Sequence, residues 1–123
     1  MTIPTDLHYT EQHEWLQLDG DTARVGVTAY AADALGDVVF IELPDVGSKI
    51  SAGETCGELE STKSVSDLFA PADGEVLEIN QAVVDDPALL NDDPFGTGWL
   101  FVMRVEGSPQ LLDATAYTEL TGA

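Results

Sequence analysis

Residues 58–68 read Glu58-Leu59-Glu60-Ser61-Thr62-Lys63-Ser64-Val65-Ser66-Asp67-Leu68 and place one lysine between two strand-like runs. The whole chain has four basic residues against 23 acidic ones, so a lysine flanked by acids on both sides is conspicuous. Pro71 and Gly74 follow within a few residues and supply turn chemistry. The stretch therefore predicts a hairpin that holds Lys63 out at its tip, where it can be modified or gripped.

Short strand-like runs separated by turn residues continue on both sides of this hairpin. Asp19-Gly20 is a two-residue hairpin signal between the runs 15–18 and 22–27. Residues 38–41 are apolar on both faces, which predicts a buried strand, and residues 98–106 predict the longest strand. Many short strands at this spacing are typical of an all-β sandwich or flattened barrel. A strand, a turn and a glycine-containing return strand are predicted on each side of Lys63, and this weak repeat suggests a pseudo-symmetric sandwich.

Two small helices are predicted beside the strands. Thr28 is a preferred N-cap residue before the helical run 29–35, and Gly36 follows where a C-terminal glycine is favoured. Ser108-Pro109 supplies an N-cap and a proline at the first helical position, so a terminal helix is predicted over about 109–119. Residues 87–91 are interpreted as a short bridging segment. We expect a single domain over residues 1–123 with its β core at about 22–104.

Composition excludes several classes of partner. The net charge of −19 would repel the phosphates of nucleic acid and an anionic membrane surface. No apolar run approaches the roughly 20 residues of a membrane span, and the first residues lack an export or transit pattern, which favours the cytoplasm. Acids dispersed along the chain are best tolerated where concentrated salt shortens the Debye length to about 3 Å, so we expect a halophilic source. An acidic surface that docks on basic partners is compatible with the same pattern.

No set of residues in the sequence predicts a catalytic centre or a metal site. Cys56, the only cysteine, lies between Glu54 and Glu58, which disfavour a thiolate, so it is interpreted as a small apolar strand residue. His13 and His8 lack a third metal ligand nearby in the sequence. The pairs Asp85-Asp86 and Asp92-Asp93 lack the spacing of a calcium-binding loop. An enzyme centred on Cys56 or His13 is the alternative from a different functional class. Four aromatic residues on strand patterns are predicted to be core: Trp15, Phe40, Trp99 and Phe101.

Seven runs, in this order along essentially the whole chain, resemble the glycine cleavage system H protein family. They are Tyr9-Thr10-Glu11-Gln12-His13-Glu14-Trp15, Leu35-Gly36-Asp37-Val38-Val39-Phe40, Leu43-Pro44-Asp45-Val46-Gly47, Glu60-Ser61-Thr62-Lys63-Ser64, Ala70-Pro71-Ala72-Asp73-Gly74-Glu75-Val76, Leu90-Asn91-Asp92-Asp93-Pro94 and Gly98-Trp99-Leu100. The resemblance implies a mostly β, barrel-sandwich hybrid fold of the lipoyl- and biotinyl-carrier type, with a short internal helix and a C-terminal helix. It also implies a non-catalytic carrier in which lipoate is attached by an amide to Lys63.

The resemblance implies three partner enzymes besides the lipoate-attaching enzyme. In the family, the pyridoxal-phosphate enzyme, P protein, decarboxylates glycine and loads the aminomethyl group onto a lipoyl sulfur. The folate-dependent T protein takes the one-carbon unit and releases ammonia. The flavoprotein L protein reoxidises the dihydrolipoyl arm with NAD, so the carrier catalyses none of these steps.

Individual residues match family positions with known roles. Glu14 and Asp67 match two family positions in a cleft that holds the ammonium of the loaded arm. From composition alone, both would be interpreted as solvated acids. Glu60 and Gly47 match positions recognised by the lipoate-attaching enzyme, and Gly47 also suits a plain turn. Ala34 is a departure, because some members have a histidine there near the loaded arm, and the imidazole contact is unavailable in this chain.

Two alternatives within the carrier class are open at this point. An H-like protein that mainly passes lipoate to other acceptors would have the same sequence features. A biotin carrier or a lipoyl domain of a 2-oxo-acid dehydrogenase is disfavoured, because the lysine is flanked by Thr62 and Ser64 and not by the Met-Lys-Met or Asp-Lys-Ala pattern of those domains.

Overall fold

The computed structural model describes residues 4–107, 109 and 111–121, and within them the chain is mostly β, as predicted. The described strands are β1 His8–Tyr9, β2 Glu14–Asp19, β3 Thr22–Val27, β4 Val38–Glu42, β5 Lys49–Ile50, β6 Thr55–Ser61, β7 Val65–Phe69, β8 Gly74–Ile79 and β9 Phe101–Val105. The helices are α1 Ala29–Leu35, α2 Gln81–Asp85, α3 Ala88–Asp92 and α4 Ala114–Thr121.

The strands form two antiparallel sheets that share one core. The larger sheet has the order β1-β2-β3-β9-β8-β5, and the smaller has the order β4-β6-β7. Buried side chains from both sheets meet in one cluster, with Leu16, Val25 and Phe101 from the large sheet against Ile41 and Leu59 from the small one. Each such side chain contributes about 1.5–3 kcal/mol by leaving water. The small sheet is thereby fixed on the large one.

The predicted hairpin around Lys63 is present. β6 and β7 pair antiparallel, with Glu60 opposite Val65 and Glu58 opposite Asp67, and the turn between them carries the lysine. Both predicted caps of α1 are also confirmed. The Thr28 hydroxyl accepts a hydrogen bond from the Ala31 N–H at 3.3 Å, and the Gly36 N–H donates to the Ala32 carbonyl at 3.2 Å.

The strand at residues 38–41 is not buried on both faces, so that prediction was wrong. β4 is an edge strand, and a bulge between Val38 and Phe40 turns consecutive side chains outward. Val39 is 55% exposed and Phe40 is 46% exposed, so Phe40 is not a core residue. Trp99 is half-buried, with the Arg24 guanidinium 4.9 Å from its ring centroid, whereas Trp15 and Phe101 are core as predicted.

Residues 98–106 do not form the longest strand. β9 has five residues, whereas β6 has seven. The N-terminal part of the run belongs to a loop after α3, because the Gly98 N–H donates to the Asp93 carbonyl at 2.8 Å and the Trp99 N–H to the Gly96 carbonyl at 3.1 Å. Those groups are unavailable to a sheet partner, which shortens the strand.

The C-terminal helix begins at Ala114 and not near residue 109. Leu112 exchanges two backbone hydrogen bonds with Tyr9, so the chain is extended there. Asp113 supplies the N-cap, since its carboxylate accepts from the Ala116 N–H at 2.8 Å. The predicted N-cap, Ser108, lies outside the described residues.

Two helices were not predicted as such. α2 follows an Asn80 side chain that accepts from the Ala82 N–H, and α3 occupies the segment interpreted as a bridge. Each has five residues, too few to show a helical period. Among the described helices, none combines the length and apolar character that crossing a membrane requires.

Candidate functional site

The turn that carries Lys63 is built around the hydroxyl of Ser61. That oxygen accepts from the Lys63 N–H at 3.3 Å and the Ser64 N–H at 3.1 Å, and it donates to the Ser64 carbonyl at 3.1 Å. The Ser61 N–H also donates to the Ser64 carbonyl at 2.8 Å. The hydroxyl is fully used, so the turn has a defined shape although it is exposed.

Lys63 is the one lysine or arginine of the described residues that lacks an ionic or cation–π partner. Lys49 lies 2.9 Å from Glu106 and 3.6 Å from Glu75, and Arg104 lies 3.5 Å from Glu75. Arg24 covers the Trp99 ring. The hydrogen bond to Glu106 is the main cause that raises the pKa of Lys49, which favours the ammonium form. Lys63 is therefore the more available amine.

A cleft of about 320 Å³ lies beside this turn, and we refer to it as the α1 cleft. It is bounded by the start of β2, by α1 and by the edge strand β7. Its lining combines apolar side chains with two carboxylates: Gln12, His13, Glu14, Val27, Tyr30, Ala31, Ala34, Leu35, Leu59, Ser64, Val65, Ser66, Asp67 and Leu68. Apolar side chains and carboxylates in one cleft are suited to an apolar group that carries a cation.

Glu14 is the buried acid of the α1 cleft. Only 2% of the residue is exposed, and its Oε1 accepts a hydrogen bond from the Thr10 hydroxyl at 2.7 Å. Desolvation is the larger effect and raises the pKa of Glu14 to about 7, although the Thr10 hydrogen bond opposes it. A cation entering the cleft would stabilise the ionised form, so Glu14 is suited to bind an ammonium group.

His13 forms the wall next to Glu14 in an unusual backbone conformation. Its φ is +69°, and its Nδ1 lies 2.8 Å from the Tyr117 hydroxyl, which lies 2.7 Å from the Thr28 hydroxyl. The Thr28 hydroxyl is fully buried, and its oxygen already accepts a hydrogen bond from the Ala31 N–H. Its O–H group is therefore best satisfied by donating to the Tyr117 oxygen, and the Tyr117 O–H group by donating to Nδ1 of His13. Burial lowers the pKa of His13. The wall is thus an uncharged imidazole whose ring centroid lies 4.8 Å from that of Tyr30, with the two ring planes tilted by 35°.

The predicted site residues do not all come together. Glu14, Asp67 and Ser64 of the lysine turn line the α1 cleft, whereas Lys63 itself is not among the lining residues. Glu60 lies instead in β6, in a cross-strand row between Phe40 and Val65. Gly47 lies in a turn before β5 with φ of +88°, and its N–H donates to the Val76 carbonyl at 2.7 Å.

The other reactive side chains have structural surroundings. Cys56 is the extra residue where the β6–β7 register shifts, and it packs against the core. Burial is the main cause that raises the pKa of its thiol to about 12, with the Glu14 charge adding to it. Among the described residues, no cluster of three or more His, Cys, Asp or Glu side chains is placed to hold a metal ion.

Sequence reasoning missed the residues that support the cleft. Thr10 and Tyr117 act on Glu14 and His13, and Tyr117 comes from α4, 104 positions after His13. No local pattern signals such a contact. Ser61 could have been found, because serine side chains commonly cap backbone N–H groups two and three residues on.

Comparison with known proteins assigns the chain to a family. The family model for the glycine cleavage H-protein matches residues 7–122. The chain belongs to the glycine cleavage H-protein family. It is 57% identical to the glycine cleavage system H protein of Beutenbergia cavernae over 98% of each chain, and 56% identical to that of Streptomyces avermitilis over 100% of each. It also resembles the crystal structure of a glycine cleavage system H protein from Mycobacterium marinum, with a TM-score of 0.93, 50% identity and coverage of 98% of this chain and 100% of that one.

Family membership decides between the functional classes that the sequence left open. A glycine cleavage H-protein is a carrier subunit of the glycine cleavage system, so the carrier interpretation is favoured over an enzyme centred on Cys56 or His13. It is also favoured over a protein that mainly donates lipoate elsewhere, since every relative named above is a glycine cleavage system H protein. The structural match is consistent with a barrel-sandwich-like fold whose sheets do not close into a barrel.

Proposed function

We propose that the protein is a lipoylated carrier that shuttles the aminomethyl group of glycine from the P protein to the T protein and is reoxidised by the L protein. This proposal is carried by one observation. The turn that holds Lys63, a lysine without an ionic partner, lies beside a cleft that contains the buried carboxylate of Glu14. The chain itself binds, shields and presents the cargo. We propose no catalytic residue in it.

We propose Lys63 as the site of lipoate attachment through an amide. Lipoate would supply a disulfide that accepts the aminomethyl group on one sulfur. An amine must lose its proton to attack an acyl group, and the raised pKa of Lys49 keeps a larger share of that lysine in the unreactive ammonium form. Lys49, on β5, also forms salt bridges with Glu75 and Glu106, whereas Lys63 is on an exposed turn. Amide formation removes the lysine charge, which suits an arm that enters an apolar-based cleft.

We propose that Glu14 and Asp67 hold the ammonium of the cargo. Glu14 is desolvated, so a charge-assisted hydrogen bond to it is stronger than one at the surface. Asp67 is exposed on the edge strand and contributes the weaker interaction. Ala34 lines the same cleft and provides no imidazole contact, so the uncharged His13 and Tyr30 complete the wall.

We propose Glu60 and Gly47 as the recognition positions of the lipoate-attaching enzyme. Glu60 is half-buried in β6, three residues before Lys63, and can contact a protein that surrounds the turn. Gly47 gives its turn a positive φ with nothing within 4 Å of where a Cβ would be, so a larger side chain is disfavoured there by conformation and not by packing.

We also propose a cytoplasmic location, a single carrier domain over residues 1–123 and a source adapted to high salt. The free Cys56 agrees with a reducing compartment. The salt proposal is supported by the net charge of −19, and the three salt bridges among the described residues involve only two of the 23 acids, Glu75 and Glu106. A melting temperature that stays the same from 0.05 M to about 2 M KCl would refute the salt proposal, because screening should relieve self-repulsion.

The function is tested by reconstitution with purified P, T and L proteins and lipoate-attaching enzyme. The wild type and Lys49→Arg are expected to support glycine-dependent NADH formation, and Lys63→Arg is expected to support none. Lys63→Arg keeps the charge and the length of the side chain, so circular dichroism should show an unchanged fold. Equal activity of Lys63→Arg and wild type would refute the proposal, and activity lost only in Lys49→Arg would move the attachment site.

A further inference from the structure

The side chain of Lys63 lies across Gly36, the residue that ends α1. A Cβ built on Gly36 would be 3.0 Å from Lys63 Cε, 3.6 Å from Cδ and 3.7 Å from Nζ. The outer half of the lysine therefore occupies the space that any other side chain at this position would need. Gly36 also has φ of +81°, which residues with a Cβ rarely adopt. Both the contact and the conformation favour glycine.

Asn91 of α3 holds the segment that contains Gly36. Its Nδ2 donates to the Gly36 carbonyl at 2.7 Å, and its Oδ1 accepts from the Val38 N–H at 2.9 Å. The carbonyl of Asp37, between these two residues, accepts from the Thr62 N–H at 3.0 Å. One amide side chain thus fixes residues 36–38, and the same residues are bonded to the lysine turn.

This contact sets the direction in which the lysine leaves its turn. α1 forms one wall of the α1 cleft up to Leu35, and Gly36 is the next residue. A stem that lies over Gly36 starts at the end of that wall and not in open solvent. Fixing the first bonds of an arm reduces the conformational entropy that is lost when the rest of the arm docks.

We propose that Gly36 and Asn91 are positioning residues that direct the Lys63 arm along α1 into the cleft. Gly36 leaves the path open, and Asn91 keeps that path aligned with the lysine turn. The inference rests on the proposed function, because it concerns how long the arm stays docked. Neither residue contacts the cargo. Their effect is on the docked fraction, which determines how well water is kept from the aminomethyl group.

Exposure to water releases the cargo by a defined reaction. S–CH₂–NH₃⁺ and H₂O give a thiol, formaldehyde and NH₄⁺: the C–S and C–N bonds break, a C=O bond forms, and the two hydrogens of water go to sulfur and nitrogen. The reverse reaction loads the reduced, lipoylated protein from formaldehyde and ammonium without any partner enzyme. Release of formaldehyde after dilution therefore reports the exposure of the docked cargo.

The test compares lipoylated wild type with Gly36→Ala and Asn91→Asp. Gly36→Ala puts a methyl group against Lys63 Cε, and Asn91→Asp keeps the acceptor for Val38 but loses the donor to Gly36. Each variant is expected to release formaldehyde at least about threefold faster, since each loses one contact or hydrogen bond, and a single such interaction changes an equilibrium by a factor of this order. In wild type, a nuclear Overhauser effect is expected between the Lys63 ε-methylene and the Gly36 α protons.

Gly53→Ala is the matched control. Gly53 has the same φ of +81°, and nothing lies within 4 Å of where its Cβ would be, so Gly53→Ala places a Cβ on a positive-φ glycine without touching the lysine. It is expected to release formaldehyde at the wild-type rate. Thermal melts of all variants separate loss of positioning from loss of the fold, and if Gly36→Ala does not fold, Asn91→Asp and the wild-type Overhauser effect decide.

Two results would overturn the inference. One is a folded, lipoylated wild type without the Lys63–Gly36 Overhauser effect, and the other is protection of the cargo that Gly36→Ala and Asn91→Asp retain in full. Failure of the proposed function looks different. Wild-type protein would then release formaldehyde as fast as a short lipoyl-lysine peptide, whatever residue 36 or 91 is.

Discussion

The buried carboxyl of Glu14 should destabilise the folded protein at neutral and alkaline pH. Its pKa rises from an ordinary value of 4.5 to about 7 on folding, with desolvation as the main cause. The folded state therefore binds this proton more tightly than the unfolded state. The stabilisation is fully present below pH 4.5 and is lost as the pH rises through 7. From the two values, the loss amounts to about 3 kcal/mol by pH 8, because each unit is worth about 1.4 kcal/mol.

Replacing Glu14 by glutamine should remove this cost. The amide oxygen can still accept from the Thr10 hydroxyl, and no charge is buried. The free energy of unfolding of Glu14→Gln minus that of wild type should be about 2 kcal/mol larger at pH 8 than at pH 5.5. Using the difference between two pH values cancels any effect of the substitution that does not depend on pH. Urea unfolding followed by tryptophan fluorescence at each pH measures it.

Glu11→Gln is the control for this experiment. Glu11 is an exposed acid three residues earlier, so its substitution should change stability by less than about 0.5 kcal/mol at either pH. The same Glu14→Gln protein should lose protection of the aminomethyl cargo, because an amide cannot pair with an ammonium as a carboxylate does. A Glu14→Gln advantage that is the same at pH 5.5 and pH 8 would refute the reasoning.

Two further substitutions test the surroundings of the cleft. Tyr117→Phe removes the hydroxyl between Thr28 and His13, and leaving those groups unpaired should cost about 1–3 kcal/mol in urea unfolding. Gly26→Ala would put a Cβ 2.6 Å from the Trp15 indole, so overpacking should cost about 1–3 kcal/mol and alter the tryptophan emission.

Both substitutions have exposed counterparts in the same chain. Tyr30→Phe is the control for Tyr117→Phe, because the residue is 37% exposed, and it should be within about 0.5 kcal/mol of wild type. Gly20→Ala is the control for Gly26→Ala, since nothing lies within 4 Å of its Cβ position and only its positive φ adds strain. A Tyr117→Phe protein as stable as Tyr30→Phe would show that the hydrogen bonds of Tyr117 with Thr28 and His13 contribute nothing to the stability of the fold.

The sequence predicted local features well and long-range ones poorly. The lysine hairpin and both caps of α1 were predictable, because turn residues and cap residues act within a few positions. The exposure of Phe40 was not, since it follows from the place of β4 at a sheet edge and from a bulge. The start of α4 was missed because the bridge between Leu112 and Tyr9 keeps the chain extended up to Asp113.

The features of the candidate site also divide into those that the sequence predicted and those that it did not. Lys63, Glu14 and Asp67 were predicted from a resemblance that spans the chain, and the structure places both acids and Ser64 of the lysine turn on one cleft. The burial of Glu14 could not be predicted, because an acidic residue in a chain of 23 acids is expected to be solvated. The contact of Lys63 with Gly36 was also hidden, since Gly36 already had a sufficient role as the end of α1.

The most direct test of the account is peptide-resolved mass spectrometry of the protein from its native host or from co-expression with an active lipoate-attaching enzyme. The account predicts one lipoyl adduct, on the peptide that contains Lys63, and an unmodified Lys49. A bare Lys63 in cells where other lipoyl proteins are modified would contradict the central claim.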